Sequence, residues 1–429
     1  MNKLSEATSM KAIICALDIK APRLRDKNEM LLMAEESAQE LARLAATLGL
    51  EVVGTVIQER YSPDPATYLG RGKVQEIAEL VSEHEASYVL VDGQLSPSQS
   101  YDLEEDLGVQ VLDRTEVILR IFAQRARTKE GKLQVELAAR RHELTRLTGR
   151  GTALSSLGGG IGTRGPGEQK LELERRVLRR RISRLTHSLE KVRRVREVQR
   201  KRRRASQIPQ VSLVGYANAG KSTLFRALTG EEVPCDDMLF ATLDPWTRRW
   251  ILPSGMVVLV TDTVGFIQKL PHELVYAFRA TLEESLEADL LIHVVDASLP
   301  TWIHQVETVH TVLGELGASH IPAITVLNKT DMLSEHELEN ILVETRGKAL
   351  AISALHGYGL DELAALVEAE LLADSQVVSL LVPYSMWDIV SEIRTCGSIL
   401  EEEHGDAGAV ITCRLSLVDM NRIKKKLSG

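Results

Sequence analysis

PQVSLVGYANAGKSTLFRALTG, residues 209–230, is the stretch on which the fold of this 429-residue chain turns. Its first part, through Val214, is an apolar run that reads as a buried strand, and the part from Lys221 carries a helical pattern. Between them, GYANAGKS (Gly215–Ser222) fills the spacing GxxxxGK[ST]. Gly215 and Gly220 let the backbone curl so that its amides point at a bound phosphate chain, and the Lys221 ammonium meets the outer phosphate oxygens. The candidate phosphate contacts are therefore Gly215, Tyr216, Ala217, Asn218, Ala219, Gly220, Lys221, Ser222 and Thr223. Ser222 offers a hydroxyl suited to Mg²⁺.

A P-loop accepts ATP or GTP, so the base must be read downstream. The strand PAITVLNKTD ends in Asn328, Lys329 and Asp331, an NKxD sequence. A carboxylate at 331 can accept from guanine N1–H and the exocyclic N2 amine, donors that adenine lacks, while the stem of Lys329 covers the ring. Further candidates come from VVLVTDTVGFI, a DxxG sequence. There Asp262 is aimed at Mg²⁺ or its water, Thr263 and Val264 line the turn, and Gly265 frees its amide for the γ-phosphate. LFATLDP supplies Phe240, Ala241 and Thr242, with Thr242 taken as the Mg²⁺ and γ-phosphate contact in preference to Thr247. Ser353, Ala354 and Leu355 follow a last short strand, where backbone amides can touch guanine O6. Lys221, Asn218, Thr242 and Gly265 are the candidate catalytic residues, and Ser222, Thr242 and Asp262 the candidate metal ligands.

Two departures bear on mechanism. Phe266 stands where many GTPases carry a glutamine that orients the attacking water. Slow hydrolysis stimulated by a partner is the expectation. Asn218 has two readings: it helps hold K⁺ between the phosphates, or it braces the loop through nearby backbone.

Outside this region, composition bounds the answer. Apolar residues make up 44% and charged residues 26%, the balance of a soluble globular protein of two to four domains. No apolar run is long enough to span a bilayer and MNKLSEATSMK lacks a signal-peptide core, so a cytoplasmic location is expected. Cys15, Cys235, Cys396 and Cys413 show no metal or disulfide spacing, and no HExxH is present. Net charge is −8, yet residues 171–204 hold fifteen Lys/Arg against four Asp/Glu, a net of +11 that leaves −19 on the rest. Such crowding favours a polyanion, with RNA as the counterion preferred over plain solvent, and with no aromatic residues in the run the contact is to phosphate.

The expected organisation is α/β throughout. Residues 1–112 alternate short strands and helices into a small parallel-sheet subdomain. Residues 113–205 form a long antiparallel helical hairpin whose stripes are Leu133, Leu137, Leu144 and Leu147 on one helix. Leu178, Ile182, Leu185, Leu189 and Val192 form the stripe on the other. LGGGIGTRGPGE, Leu157–Glu168, is the exposed tip. Residues 206–372 are the P-loop G domain and 373–429 a small α+β appendage. GRGKVQEI, Gly70–Ile77, is read as an ordinary turn and helix start in preference to a second phosphate site.

With TYLGRGKVQEI, DRTEVILRIFAQRARTKEGKLQVELA, GGGIGTRGPGE, FATLDP and DTVGFI in hand, the chain resembles, over nearly its whole length, the HflX family of ribosome-associated GTPases. The resemblance implies a GTP hydrolase that cycles between GTP and GDP with Mg²⁺. It also implies binding to the large ribosomal subunit and its rRNA through the glycine tip and basic helix, and splitting or rescue of stalled ribosomes under stress such as heat. ATP binding in the N-terminal part is reported for the family; a monomer is expected. Two rival readings are a regulatory switch acting on a protein partner and an ATP-driven RNA remodeller centred on the N-terminal half. The basic run speaks against the first, since a protein-only switch has no use for +11 in 34 residues.

Overall fold

The structure, a computed structural model, describes residues 10–20, 27–157, 166–205, 208–231, 245–267, 288–345, 347–373 and 375–428. The chain divides into two compact units, one built on residues up to Val192 and the other from Arg193 onward. The fold class is the α/β arrangement expected from the sequence.

In the first unit the order is β1 (Met10–Ile19), α1 (Lys27–Thr47), β2 (Leu50–Arg60), α2 (Arg71–His84), β3 (Tyr88–Val91), α3 (Pro97–Leu107) and β4 (Gln110–Asp113). The four strands pair in parallel in the order β2-β1-β3-β4. Alternation along β1 separates two apolar layers. Ile13, Cys15 and Leu17 face Val74, Ile77 and Val81 of α2 and Leu103 and Leu107 of α3 in one core cluster. Local chemistry sets the helix ends. Ser96 caps α3 in a reciprocal box with Gln99, with Pro97 just inside, and Asp113 caps the next helix, α4 (Arg114–Arg125), by accepting from Glu116 N.

Helix α4 opens the 113–205 segment, and its first residue is tied to the sheet. Arg114 is 1% exposed, and its guanidinium pairs with Asp92 beyond β3 and with Glu40 of α1, while also donating to Ser37 O. A buried cation is tolerated when carboxylates and carbonyls take its protons. The hairpin proper is α5 (Lys129–Leu157) and α6 (Pro166–Ala205). Leu133 and Leu137 pack with Ile182, Leu185 and Leu189. The antiparallel register is fixed by Arg181 on Glu136 Oε1 (2.6 Å) and Arg175 Nη2 on Leu147 O (3.0 Å). Most of the glycine-rich tip, residues 158–165, lies outside the described residues.

The second unit holds a six-stranded sheet of order β10-β9-β8-β5-β7-β6. Its strands are β5 (Gln210–Gly215), β6 (Trp246–Ile251), β7 (Val257–Asp262), β8 (Leu290–Asp296), β9 (Ala323–Asn328) and β10 (Ala349–Ala351). All pair in parallel except β6, which runs antiparallel to β7. The helices are α7 (Lys221–Thr229), α8 (Trp302–Leu316), α9 (Glu335–Glu344) and α10 (Leu360–Leu371). All seven residues of β8 are buried, as a central strand covered on both faces requires. The parallel strands β5, β7, β8 and β9 aim their C-terminal ends at one edge, where ligands bind in open parallel sheets.

The last segment is a three-stranded antiparallel sheet, β11 (Ser375–Val382), β12 (Ser398–Gly405) and β13 (Gly408–Ser416), in the order β11-β13-β12. With it come α11 (Asp388–Cys396) and α12 (Leu417–Ser428), which close one core around Val382, Ile393, Ile411, Leu415 and Ile423. Of the cysteines, Cys15, Cys396 and Cys413 are free and buried, and burial pushes the Cys396 and Cys413 thiols up to about 12 and about 11. Cys235 lies outside the described residues. Among the described residues no helix is long and apolar enough to cross a membrane.

Candidate nucleotide site

The P-loop leaves β5 at Gly215 and enters α7 at Lys221. Asn218 (φ +63°) and Gly220 (φ +92°) both take left-handed backbone. At Gly220 only glycine fits, because a Cβ there would lie 2.1 Å from Asn328 Nδ2. The Lys221 ammonium is folded back over the loop and donates to Gly215 O (3.1 Å) and Tyr216 O (2.7 Å), which leaves one proton to offer outward. Burial lowers its pKa from 10.5 to about 8, against the opposing pull of Asp262. At the end of β7, Asp262 is fully buried and its Oδ2 accepts from Ser222 Oγ at 2.7 Å. Thr263 Oγ1 ties the next residue to Leu213 O (2.6 Å), Val264 is buried, and Gly265 lies beside Ala217 and Lys221.

At the far side of the sheet edge, Asn328 ends β9 and links two loops. Its Nδ2 donates to Ala219 O of the P-loop at 2.8 Å, and its Oδ1 accepts from Ala354 N at 2.9 Å. Lys329 takes left-handed backbone (φ +62°) and its ammonium reaches Asp296 Oδ2 at 2.6 Å. Asp331 accepts from Ser353 Oγ at 2.6 Å, with the exposed His356 ring 3.8 Å from its other oxygen. Leu355 stands 68% exposed beside them. The structure thus brings together residues 215–222, 262–265, 328–331 and 353–355 along one edge of one sheet. Phe240, Ala241 and Thr242 lie outside the described residues. Thr247, the alternative to Thr242, sits on β6 with its hydroxyl 3.0 Å from that of Thr261.

Two participants were not picked out from the sequence. Asp296 closes β8 directly opposite Asn328 in the β8–β9 register, and it holds both Lys329 and Ser298. The signal was an acidic residue ending an otherwise apolar strand, LLIHVVD. The other is Thr330, whose hydroxyl donates to Ile352 O at 2.9 Å and so fixes the NKxD loop to the strand end that carries Ser353. In the first unit, the start of α2 has Gly70 N on Gln58 Oε1 (2.9 Å) and Lys73 in an exposed i,i+3 pair with Glu76 (2.7 Å), so each group already has a partner within the protein.

A parallel sheet with a P-loop, a DxxG turn and an NKxD loop on its C-terminal edge defines a P-loop GTPase, an enzyme that hydrolyses GTP to GDP and phosphate. Three family models match in sequence: "GTP-binding GTPase N-terminal" over residues 35–123, "GTP-binding GTPase Middle Region" over 125–203, and "50S ribosome-binding GTPase" over 210–329. The GTPase HflX of Caldanaerobacter subterraneus subsp. tengcongensis is 46% identical over 402 residues, covering 91% of this chain and 92% of that one. HflX of Escherichia coli K12 is 43% identical over 393 residues, with 91% and 92% covered. A GTP-binding protein of Sulfolobus solfataricus, solved with GDP, is 24% identical with a TM-score of 0.45, covering 84% of this chain and 98% of that one. The chain belongs to the HflX family of GTPases.

Proposed function

We propose that the chain binds Mg²⁺–GTP at the edge built from residues 215–223, 262–265, 328–331 and 353–355. Hydrolysis there times its release from the large ribosomal subunit, and its work is to split or rescue stalled ribosomes under stress such as heat. The observation that carries the nucleotide part is Asn328, whose one side chain holds the phosphate loop at Ala219 and the base loop at Ala354. That spacing suits a ligand with a base at one end and phosphates at the other.

In this reading Asp331 accepts from guanine N1 and N2, and the Ala354 region lies at O6. Lys221 turns its remaining proton toward the β and γ oxygens. The Ser222 hydroxyl and Asp262 carboxylate, 2.7 Å apart, are a hard-oxygen pair that fits Mg²⁺, with Thr242 as the expected third protein ligand. The metal, when bound, neutralises charge on the β and γ oxygens. Asn218 is exposed at the loop in left-handed backbone, and in the K⁺ reading its amide oxygen helps hold that ion beside the phosphates. The apolar Phe266 side chain cannot orient water, so activation by the bound ribosome is the expected supplement.

The ribosomal part is supported by the 40-residue helix α6, on which the +11 run lies, and by the name of the family model over residues 210–329. The paired state of Lys73 gives the ATP-driven alternative no added support. The test is co-sedimentation with purified large ribosomal subunits in GDP and in guanylyl imidodiphosphate, across a salt series. Tight, salt-sensitive binding in the triphosphate state is expected. Absence of binding in both states would reject the ribosomal assignment and leave the protein-partner switch.

A further inference from the structure

Phe266 is one residue past the DxxG glycine, and its backbone does not leave the P-loop. Phe266 N donates to Gly215 O at 3.1 Å, and Ala217 N donates to Phe266 O at 2.6 Å, so Tyr216 and Phe266 form a parallel β-bridge. The Phe266 ring is only 1% exposed. Together, the two hydrogen bonds and the buried ring hold the segment at both its polar and apolar ends.

Gly265 is fixed as a result. A Cβ added to it would lie 2.7 Å from Ala217 Cα and 2.9 Å from Lys221 Nζ, so the residue is seated against the phosphate loop with no room for a side chain. An amide fixed before the ligand arrives needs no ordering when a phosphate oxygen reaches it, which is how preorganised donors gain strength. A flexible turn would lose that gain. Gly265 lies beside the Lys221 ammonium, whose remaining proton is read above as serving the β and γ oxygens, so in that reading its amide serves the γ-phosphate.

We propose that Phe266 is a positioning residue for the γ-phosphate: its ring anchors the Tyr216–Phe266 bridge, and the bridge holds the Gly265 amide where it discriminates GTP from GDP. The residue that replaces the usual glutamine thereby acts on nucleotide state and not on water. This rests on the reading of Lys221 and Gly265 as phosphate contacts.

The test measures affinity for GDP and for guanylyl imidodiphosphate by fluorescence titration, together with KM and kcat for GTP, in the full chain. The variants are Phe266→Ala, Phe266→Gln and Phe266→Leu, with Lys221→Ala beside them. Phe266→Ala and Phe266→Gln should weaken the triphosphate analogue by roughly tenfold, the scale of one charge-assisted hydrogen bond, and leave GDP within about twofold. Phe266→Leu, which keeps an apolar anchor, should restore the analogue. The proposal is overturned if GDP and the analogue weaken together, since the ring would then serve only the fold. It is equally overturned if the analogue binds unchanged or more tightly. If Phe266→Ala and Phe266→Gln do not fold, Phe266→Leu decides alone: an analogue affinity well below wild type with GDP unchanged would show that an apolar anchor is not sufficient and reject the proposal. Unaltered binding of both nucleotides to Lys221→Ala would instead reject the phosphate-site reading itself.

Discussion

Asn328 donates its side-chain amide to Ala219 O at 2.8 Å, across 109 residues of sequence, and through that bond the loop that reads the base braces the loop that holds the phosphates. Because the other end of the same amide accepts from Ala354 N, Asn328→Ala removes two buried hydrogen bonds and strands their partners. Each is expected to cost about 1–3 kcal/mol. Affinity for GDP and GTP should fall together by roughly 30-fold or more, measured by fluorescence titration.

Asp331 presents a carboxylate held from behind by Ser353 Oγ at 2.6 Å. Asp331→Asn replaces an acceptor with a donor on the face that meets guanine N2. Guanine nucleotides should bind more weakly by roughly 2–5 kcal/mol, and xanthosine diphosphate, which has a carbonyl at that position, should bind better than GDP. Competition titration with the two diphosphates checks the exchange of preference.

Burial holds the Lys221 pKa down at about 8. Phosphate oxygens favour the charged ammonium and will raise it, so binding takes up a proton wherever the free protein has lost one. No uptake is expected at pH 6.5, and uptake should grow between pH 8 and 9.5. Calorimetric titration of GDP in buffers of different ionisation enthalpy measures it directly, and Lys221→Arg should abolish the effect.

In the first unit, His142 of α5 sits 3.4 Å from Asp113, the cap of α4. Burial opposes its charge, but the hydrogen bond to Asp113 and the charges of Asp113 and Glu116 outweigh burial and Arg146, and its pKa is raised above 6.5. A raised folded pKa means the charged ring stabilises the fold fully below 6.5. That contribution is lost as pH rises through the folded value. Denaturant unfolding should show wild type losing more stability than His142→Asn on going from pH 5.5 to 8.

Much of this could be read from the chain because the critical residues are local in sequence. GYANAGKS, DTVG and NKTD each encode a turn and its ligands within a few residues, and period-two and period-3.6 patterns gave the parallel sheet and the hairpin. What escaped was non-local. Asp296 becomes a partner of Lys329 only through the β8–β9 register, and Phe266 reads as a missing glutamine until its bridge to Tyr216 is seen. The tie between α4 and the sheet likewise depends on Arg114 finding Asp92 and Glu40, residues far from it in sequence.

The central claim is that this GTPase works on the large ribosomal subunit, and the most direct measurement is GTP turnover with and without purified subunits, in potassium and in sodium buffer. Turnover should be slow alone, rise strongly on adding subunits, and be faster in potassium if Asn218 helps hold that ion. Turnover that subunits leave unchanged, from a protein that also fails to co-sediment with them, would contradict the account.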